Sequence, residues 1–134
     1  LITHAKCLKK MDLKKGWVVY NEKGYDELTT TSNNFFIEIK NGKLMQKKII
    51  SPKSLGFKIR NENELKGGSP KENAFLMRRL FYGETGAIRD NVILNTAAAL
   101  VICEKVKSIE EGIKLAENKI DSGVAQKKLK SLVG

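Results

Sequence analysis

Ile2, Ala5, Leu8 and Met11 recur at three-residue intervals with Leu1 and Cys7 beside them, an apolar stripe that predicts a first helix over about residues 2–15. Gly16 then stands where such a helix would take a left-handed cap. Trp17 to Tyr20 is a short, continuously apolar run between Gly16 and Asn21, the pattern of an interior strand buried on both faces. Residues 35–40 and 43–50 flank Asn41-Gly42, a dipeptide whose two members both tolerate positive φ and which therefore predicts a two-residue hairpin. Ser51-Pro52 opens a helical turn that Gly56 ends, and residues 60–68 read as a loop.

Three helix starts follow. Ser69-Pro70-Lys71-Glu72 is a capping box, after which Ala74, Leu76, Met77, Leu80 and Phe81 carry the apolar pattern to Gly83. Asp90 is the expected cap of a helix from Asn91 to about Lys105, whose small residues Thr96, Ala97, Ala98 and Ala99 would admit a close neighbour. Ser108-Ile109-Glu110-Glu111 is a second capping box, opening a helix that runs to Gly123, and residues 125–132 form a short amphipathic tail. The predicted class is α/β: one buried strand and a β-hairpin with four to five helices. Such a small sheet gives these helices little to pack on, so a further part of the fold is expected upstream.

The whole chain, residues 1–134, is of a size for one domain or part of one, and 41% hydrophobic with 30% charged residues is a globular composition. The longest apolar run, Thr96 to Cys103, is too short to cross a bilayer, and residues 1–15 lack the apolar segment of a secretory signal. Cys7 and Cys103 are expected to be buried free thiols rather than a disulfide, which points to a reducing, cytoplasmic setting. His4 has no Cys, Asp or Ser partner nearby in sequence and reads as a helix-surface residue.

A net charge of +10 raises the question of nucleic acid. Its lysines are scattered over several elements, and Phe35, Phe36 and Phe57 sit in apolar runs rather than in a stacking stripe, so no nucleic-acid partner is expected. The excess charge would still favour an anionic small molecule.

Candidate chemistry resides in Asp26-Glu27, two adjacent carboxylates beyond the strand and the Gly24 turn, at the edge of a sheet where open α/β folds bind ligands. Hard carboxylate oxygens suit a divalent metal. Taken alone, two acidic residues in a loop are more often solvated charges.

Four segments change that balance. Gly24-Tyr25-Asp26-Glu27-Leu28, Pro52-Lys53-Ser54-Leu55-Gly56-Phe57, the run Leu65 to Ala74 and the run Ile88 to Ala97 resemble, in order and spacing, the carboxyl-terminal part of anthranilate phosphoribosyltransferase. Residues 108–112 and 121–125 are similar to that family's last helices. The resemblance spans practically this whole chain and much less than half of a family enzyme. It implies a partial phosphoribosyltransferase large domain and a magnesium-dependent transfer of phosphoribosyl from phosphoribosyl pyrophosphate to anthranilate in tryptophan biosynthesis. It implies that Asp26 and Glu27 hold Mg²⁺ on the pyrophosphate, and that an upstream amino-terminal region or partner chain supplies the remaining site. Related phosphoribosyl or nucleoside-processing transferases are the near competitors, and a catalytically dead remnant or partner-binding fragment is the alternative of another class. Gly67-Gly68 reads as backbone turning, and Asn73 and Asn95 as bonds within the helix layer. Thr29, Thr96 and the Ser32-Asn33-Asn34 turn depart from the usual pattern of that family.

Overall fold

The computed structural model describes residues 1–133. The described residues form three strands and five α-helices: α1 (Ile2–Lys10), β1 (Lys15–Asn21), β2 (Asn34–Lys40), β3 (Lys43–Ile50), α2 (Pro70–Phe81), α3 (Ala87–Ile102), α4 (Ile109–Asp121) and α5 (Val124–Val133). They fall into two compact units, one of Leu1–Ile59 and one beginning at Arg60. No helix among the described residues is long and apolar enough to cross a membrane.

The first unit is an antiparallel sheet in the order β1-β2-β3 with α1 against it. Helix α1 is shorter than its apolar stripe suggests. Asp12 takes the left-handed conformation (φ 61°), the Leu13 amide returns to the Leu8 carbonyl at 3.1 Å and the Asp12 amide to Lys9 at 3.0 Å. This closes the helix with the motif usually built on glycine, which a short polar side chain also tolerates. Gly16 is thereby released to β1, where an added Cβ would lie 2.9 Å from Leu13 Cδ2.

The buried strand is β2, not β1. Phe36, Ile37 and Ile39 are 5%, 3% and 1% exposed, because β2 has a partner on each side, while Trp17 to Val19 lie on an edge and are only half-buried. Trp17 stacks on Phe36 with ring centroids 4.1 Å apart, fixing one face of the pair. The β2–β3 turn is as expected: Asn41 and Gly42 have φ 51° and 71°. A bulge between Ile37 and Ile39 shifts the register, and exposed Lys43, Lys47 and Lys48 line the outer strand.

In the second unit, residues 60–68 are not simply loop, since Glu62–Leu65 form a 3-10 turn capped by Asn61. Helix α2 starts at the expected capping box: Ser69 Oγ accepts from the Glu72 amide, and Glu72 accepts from the Ser69 amide at 2.7 Å. Helix α3 begins at Ala87 with Gly86 (φ 144°) at its cap, so Asp90 lies in the first turn and not at the cap. There it accepts from Arg60 Nε at 2.8 Å and pairs with Arg60 Nη2 at 2.7 Å. Helix α3 ends at Ile102, where Glu104 (φ 55°) plays the part Asp12 plays in α1. Ser108 caps α4 by accepting from the Glu111 amide, but Glu111 reaches the Lys107 amide instead of completing the box.

Ala97 and Ala98 of α3 and Gly112, Ile113, Ala116 and Ile120 of α4 are buried, and an added Cβ on Gly112 would stand 2.9 Å from both the Cα and the carbonyl oxygen of Ala97. The alanine-rich face thus admits a close backbone, as its composition suggests. Arg89, 9% exposed, crosses to Asp121 with Nη2 at 2.8 and 2.9 Å from the two carboxylate oxygens. Both cysteines are free and exposed, contrary to the buried thiols expected: Cys7 faces out from α1, and Cys103 caps the end of α3.

Candidate metal-binding loop

The chain leaves β1 at Asn21 and enters β2 at Asn34, and these two residues are partners in the strand register. The loop of residues 22–33 is therefore closed at its base by one residue pair. Its entry is a tight turn: the Gly24 amide donates to Asn21 O at 2.9 Å, the Asn21 amide to Tyr25 O at 3.1 Å, and Gly24 takes φ 90°. Its exit returns the Glu22 amide to Asn33 O at 3.0 Å.

Asp26 and Glu27 lie at bends on this loop, and both are exposed. The next residues turn abruptly inward, with Leu28 1% exposed and Thr29, Thr30 and Thr31 at 0%, 0% and 3%. Beneath them lies a polar cluster in which Asn21 and Asn34 are fully buried. Asn21 Nδ2 donates to Thr29 Oγ1 at 2.9 Å and to Asn34 Oδ1 at 2.8 Å. Asn34 holds the Thr29 backbone at both ends, accepting from its amide at 2.8 Å and donating to its carbonyl at 2.9 Å. Asn21 Oδ1 accepts from the Lys23 amide at 2.9 Å and from Ser32 Oγ at 3.1 Å.

Buried amides are stable only when their donors and acceptors are matched, and this cluster matches them between the loop and the two strand ends that close it. The carboxylates are thus presented to solvent from a fixed base. A groove of about 620 Å³ on the sheet face, lined by Leu1, Ile2, Tyr20, Phe35, Ile37, Met45, Gln46 and Lys47, includes neither of them.

No third His, Cys, Asp or Glu joins the pair to form a cluster of metal ligands among the described residues. Two adjacent, solvent-exposed hard oxygen donors fit magnesium, which keeps several waters and is commonly held by one or two carboxylates with phosphate oxygens. They do not make a protein cage of the kind structural zinc requires.

Residues 2–126 match the family described as "Glycosyl transferase family, a/b domain". The chain belongs to this family. It is 42% identical over 129 residues to the anthranilate phosphoribosyltransferase of Parvibaculum lavamentivorans, covering 96% of this chain and 38% of that relative. It is likewise 42% identical over 128 residues to that of Clostridium beijerinckii, again 96% of this chain and 38% of the relative. The Thermus thermophilus anthranilate phosphoribosyltransferase superposes with a TM-score of 0.82 at 35% identity, over 95% of this chain and 37% of that one. The Saccharomyces cerevisiae enzyme, solved in complex with PRPP and Mg, shares the fold at a TM-score of 0.78 and 23% identity, over 87% of this chain and 33% of its own. The family member represented here thus spans well under half the length of the relatives it matches.

Of the candidate residues, Asp26 and Glu27 sit side by side on the exposed part of the loop. Asn95 bonds within α3, donating to Asn91 O at 3.0 Å, whereas Asn73 does not bond within the helix layer as expected but holds the segment before α2, accepting from the Gly68 amide at 2.8 Å and donating to its carbonyl at 3.1 Å. The clamp of Asn21, Thr29 and Asn34 escapes sequence reasoning. Its only trace there is a set of Asn and Thr residues around an acidic loop, whose contacts span separations of 5 to 13 positions and depend on strand pairing.

Proposed function

We propose that this chain, over residues 1–134, is the carboxyl-terminal part of the α/β domain of an anthranilate phosphoribosyltransferase, working in tryptophan biosynthesis in the cytoplasm. In this reading the reaction moves phosphoribosyl from phosphoribosyl pyrophosphate to the amino group of anthranilate. Asp26 and Glu27 hold Mg²⁺ against the pyrophosphate. The observation that carries it is the exposed acidic pair on the clamped loop after β1, in a chain of this family. Support comes also from the relatives of that name and from an enzyme of the same fold solved with PRPP and Mg. Two exposed free thiols suit a reducing compartment.

The roles assigned to these residues follow from their chemistry. Bound magnesium supplies charge neutralisation on the departing pyrophosphate. Asp26 and Glu27 offer hard anionic oxygens, and their exposure lets substrate phosphate oxygens share the ion with them. The fixed base of the loop holds the backbone that carries them, so less ordering is left to do when the ion arrives. Remaining contacts to both substrates belong to the upstream region that the relatives possess and this chain does not span.

The test is magnesium-dependent consumption of anthranilate by the chain alone and by the chain mixed with the upstream region of the Parvibaculum relative. Turnover is expected only in the mixture, and Asp26→Asn with Glu27→Gln should abolish it. Turnover by the chain alone would contradict its incompleteness, and a mixture that assembles without turnover would favour a remnant.

A further inference from the structure

We infer that Asn21, Thr29 and Asn34 are positioning residues for the metal site: their buried hydrogen bonds fix the backbone on both sides of Asp26 and Glu27, and with it the two carboxylates proposed to hold the ion. The inference rests on the proposed metal role of Asp26 and Glu27 and assigns the device that sets their geometry.

The clamp acts on both sides of the acidic pair. On the entry side, Asn21 Oδ1 accepts from the Lys23 amide at 2.9 Å and its own amide donates to Tyr25 O at 3.1 Å, so the residues just before Asp26 are fastened to it. On the exit side, Thr29, two residues after Glu27, is held at its amide, carbonyl and hydroxyl by Asn34 and Asn21. The two asparagines are joined to each other at 2.8 Å, so both sides refer to the same buried point. Asn21, Thr29 and Asn34 are all 0% exposed, which means that water cannot replace a lost partner. An apolar residue at position 34 would leave the buried Thr29 amide and carbonyl unpaired, so these hydrogen bonds fix the backbone just after the acidic pair. Hydrogen bonds to both flanks of a two-carboxylate loop are what positioning requires, since groups behind the ligands commonly tune metal affinity by orienting them.

The isosteric change Thr29→Val removes the hydroxyl that Asn21 and Thr31 both use, and Thr29→Ser keeps it while losing the methyl. Mn²⁺ is the probe, titrated into the chain and followed by paramagnetic broadening of the Asp26 and Glu27 amide signals. Thr29→Val is expected to weaken Mn²⁺ binding about tenfold, with Thr29→Ser and the core control Ile39→Val both staying within about twofold. Ser32→Ala, which cuts only the 3.1 Å bond to Asn21, is the milder variant should Thr29→Val fail to fold, and it should weaken binding to a smaller degree. Binding unchanged in folded Thr29→Val, or lost as much in Thr29→Ser as in Thr29→Val, would overturn the inference.

Amide hydrogen exchange separates this failure from that of the metal reading. The clamp requires that residues 22–28 exchange faster in Thr29→Val while Phe36 to Ile39 do not, whether or not Mn²⁺ binds. If Asp26→Asn leaves Mn²⁺ binding unchanged, the metal role itself fails, and unaltered exchange in Thr29→Val would refute the clamp on its own.

Discussion

Gly112→Ala offers a change whose sign alone decides whether the α3–α4 packing is as close as described. In an exposed helix this substitution stabilises by about 1 kcal/mol, because alanine loses less backbone freedom than glycine. At Gly112 the added Cβ would meet Ala97 Cα and O at 2.9 Å and Ala97 Cβ at 3.0 Å, and two of those three atoms are backbone. No rotamer can relieve them, so the helices must part by roughly half an ångström or more, a gap at which paired atoms forfeit a quarter or more of their dispersion energy. That loss falls on Ile93, Leu94, Ala97, Ile113 and Ala116, all buried along the two helices.

Overpacking of this kind costs about 1–3 kcal/mol, and a backbone obstacle places it near the upper end. Less the propensity gain, the net destabilisation is about 2 kcal/mol. For a unit of this size that lowers the melting temperature by roughly 10 °C. Helical circular dichroism is the suitable signal, since four of the five helices belong to this unit, whereas the single tryptophan, Trp17, reports the other. Adding Ala97→Gly should not rescue the variant, because the Cα and carbonyl contacts persist and a second helical glycine costs about 1 kcal/mol more. A Gly112→Ala protein as stable as the native chain, or more so, would refute the close approach.

Three further outcomes follow from single sites. Asp121→Ala should destabilise more than Arg89→Met, by about 3 kcal/mol against about 1 kcal/mol in urea unfolding, because the first strands a buried guanidinium and the second leaves a carboxylate that is 57% exposed; equal losses would argue against a buried pair. Ser69→Ala should cost about 1 kcal/mol in the same assay by removing the α2 cap, and no change would mean the cap is not formed in solution. Hydrogen bonds from the Ser69 side chain and backbone hold the Glu72 carboxyl below its ordinary value of 4.5, so its contribution to stability is present above that value and is lost as pH falls through the lowered one. In carboxyl NMR titrations Ser69→Ala should move the Glu72 midpoint upward, and an unmoved midpoint would contradict the assigned partner.

Legibility in the sequence tracks how local each cause is. The Asn41-Gly42 hairpin and the Ser69–Glu72 box are written within four residues, and both occur where the sequence places them. Helix ends are less legible, because Asp12 and Glu104 accept the left-handed conformation that glycine usually marks, leaving Gly16 for a strand and cutting α3 short of Lys105. The strand order cannot be read, since Trp17 to Tyr20 are as apolar as a central strand and only the register with β2 makes them an edge. The acidic pair is visible as two carboxylates after a glycine turn, but its metal reading comes from the resemblance. The asparagine–threonine clamp is hidden, because polar residues in separate segments meet only after the sheet has formed.

The two exposed cysteines lend themselves to spectroscopy. Cys7 lies on a helix of the first unit and Cys103 at a helix end of the second, so each compact unit already carries one native attachment point. Exposed thiols are open to maleimide chemistry, whereas a buried pair would have required engineered sites. Replacing one with serine leaves a single label that follows the unfolding of its own unit, and the two single-label proteins together would show whether both units melt as one cooperative body or in succession.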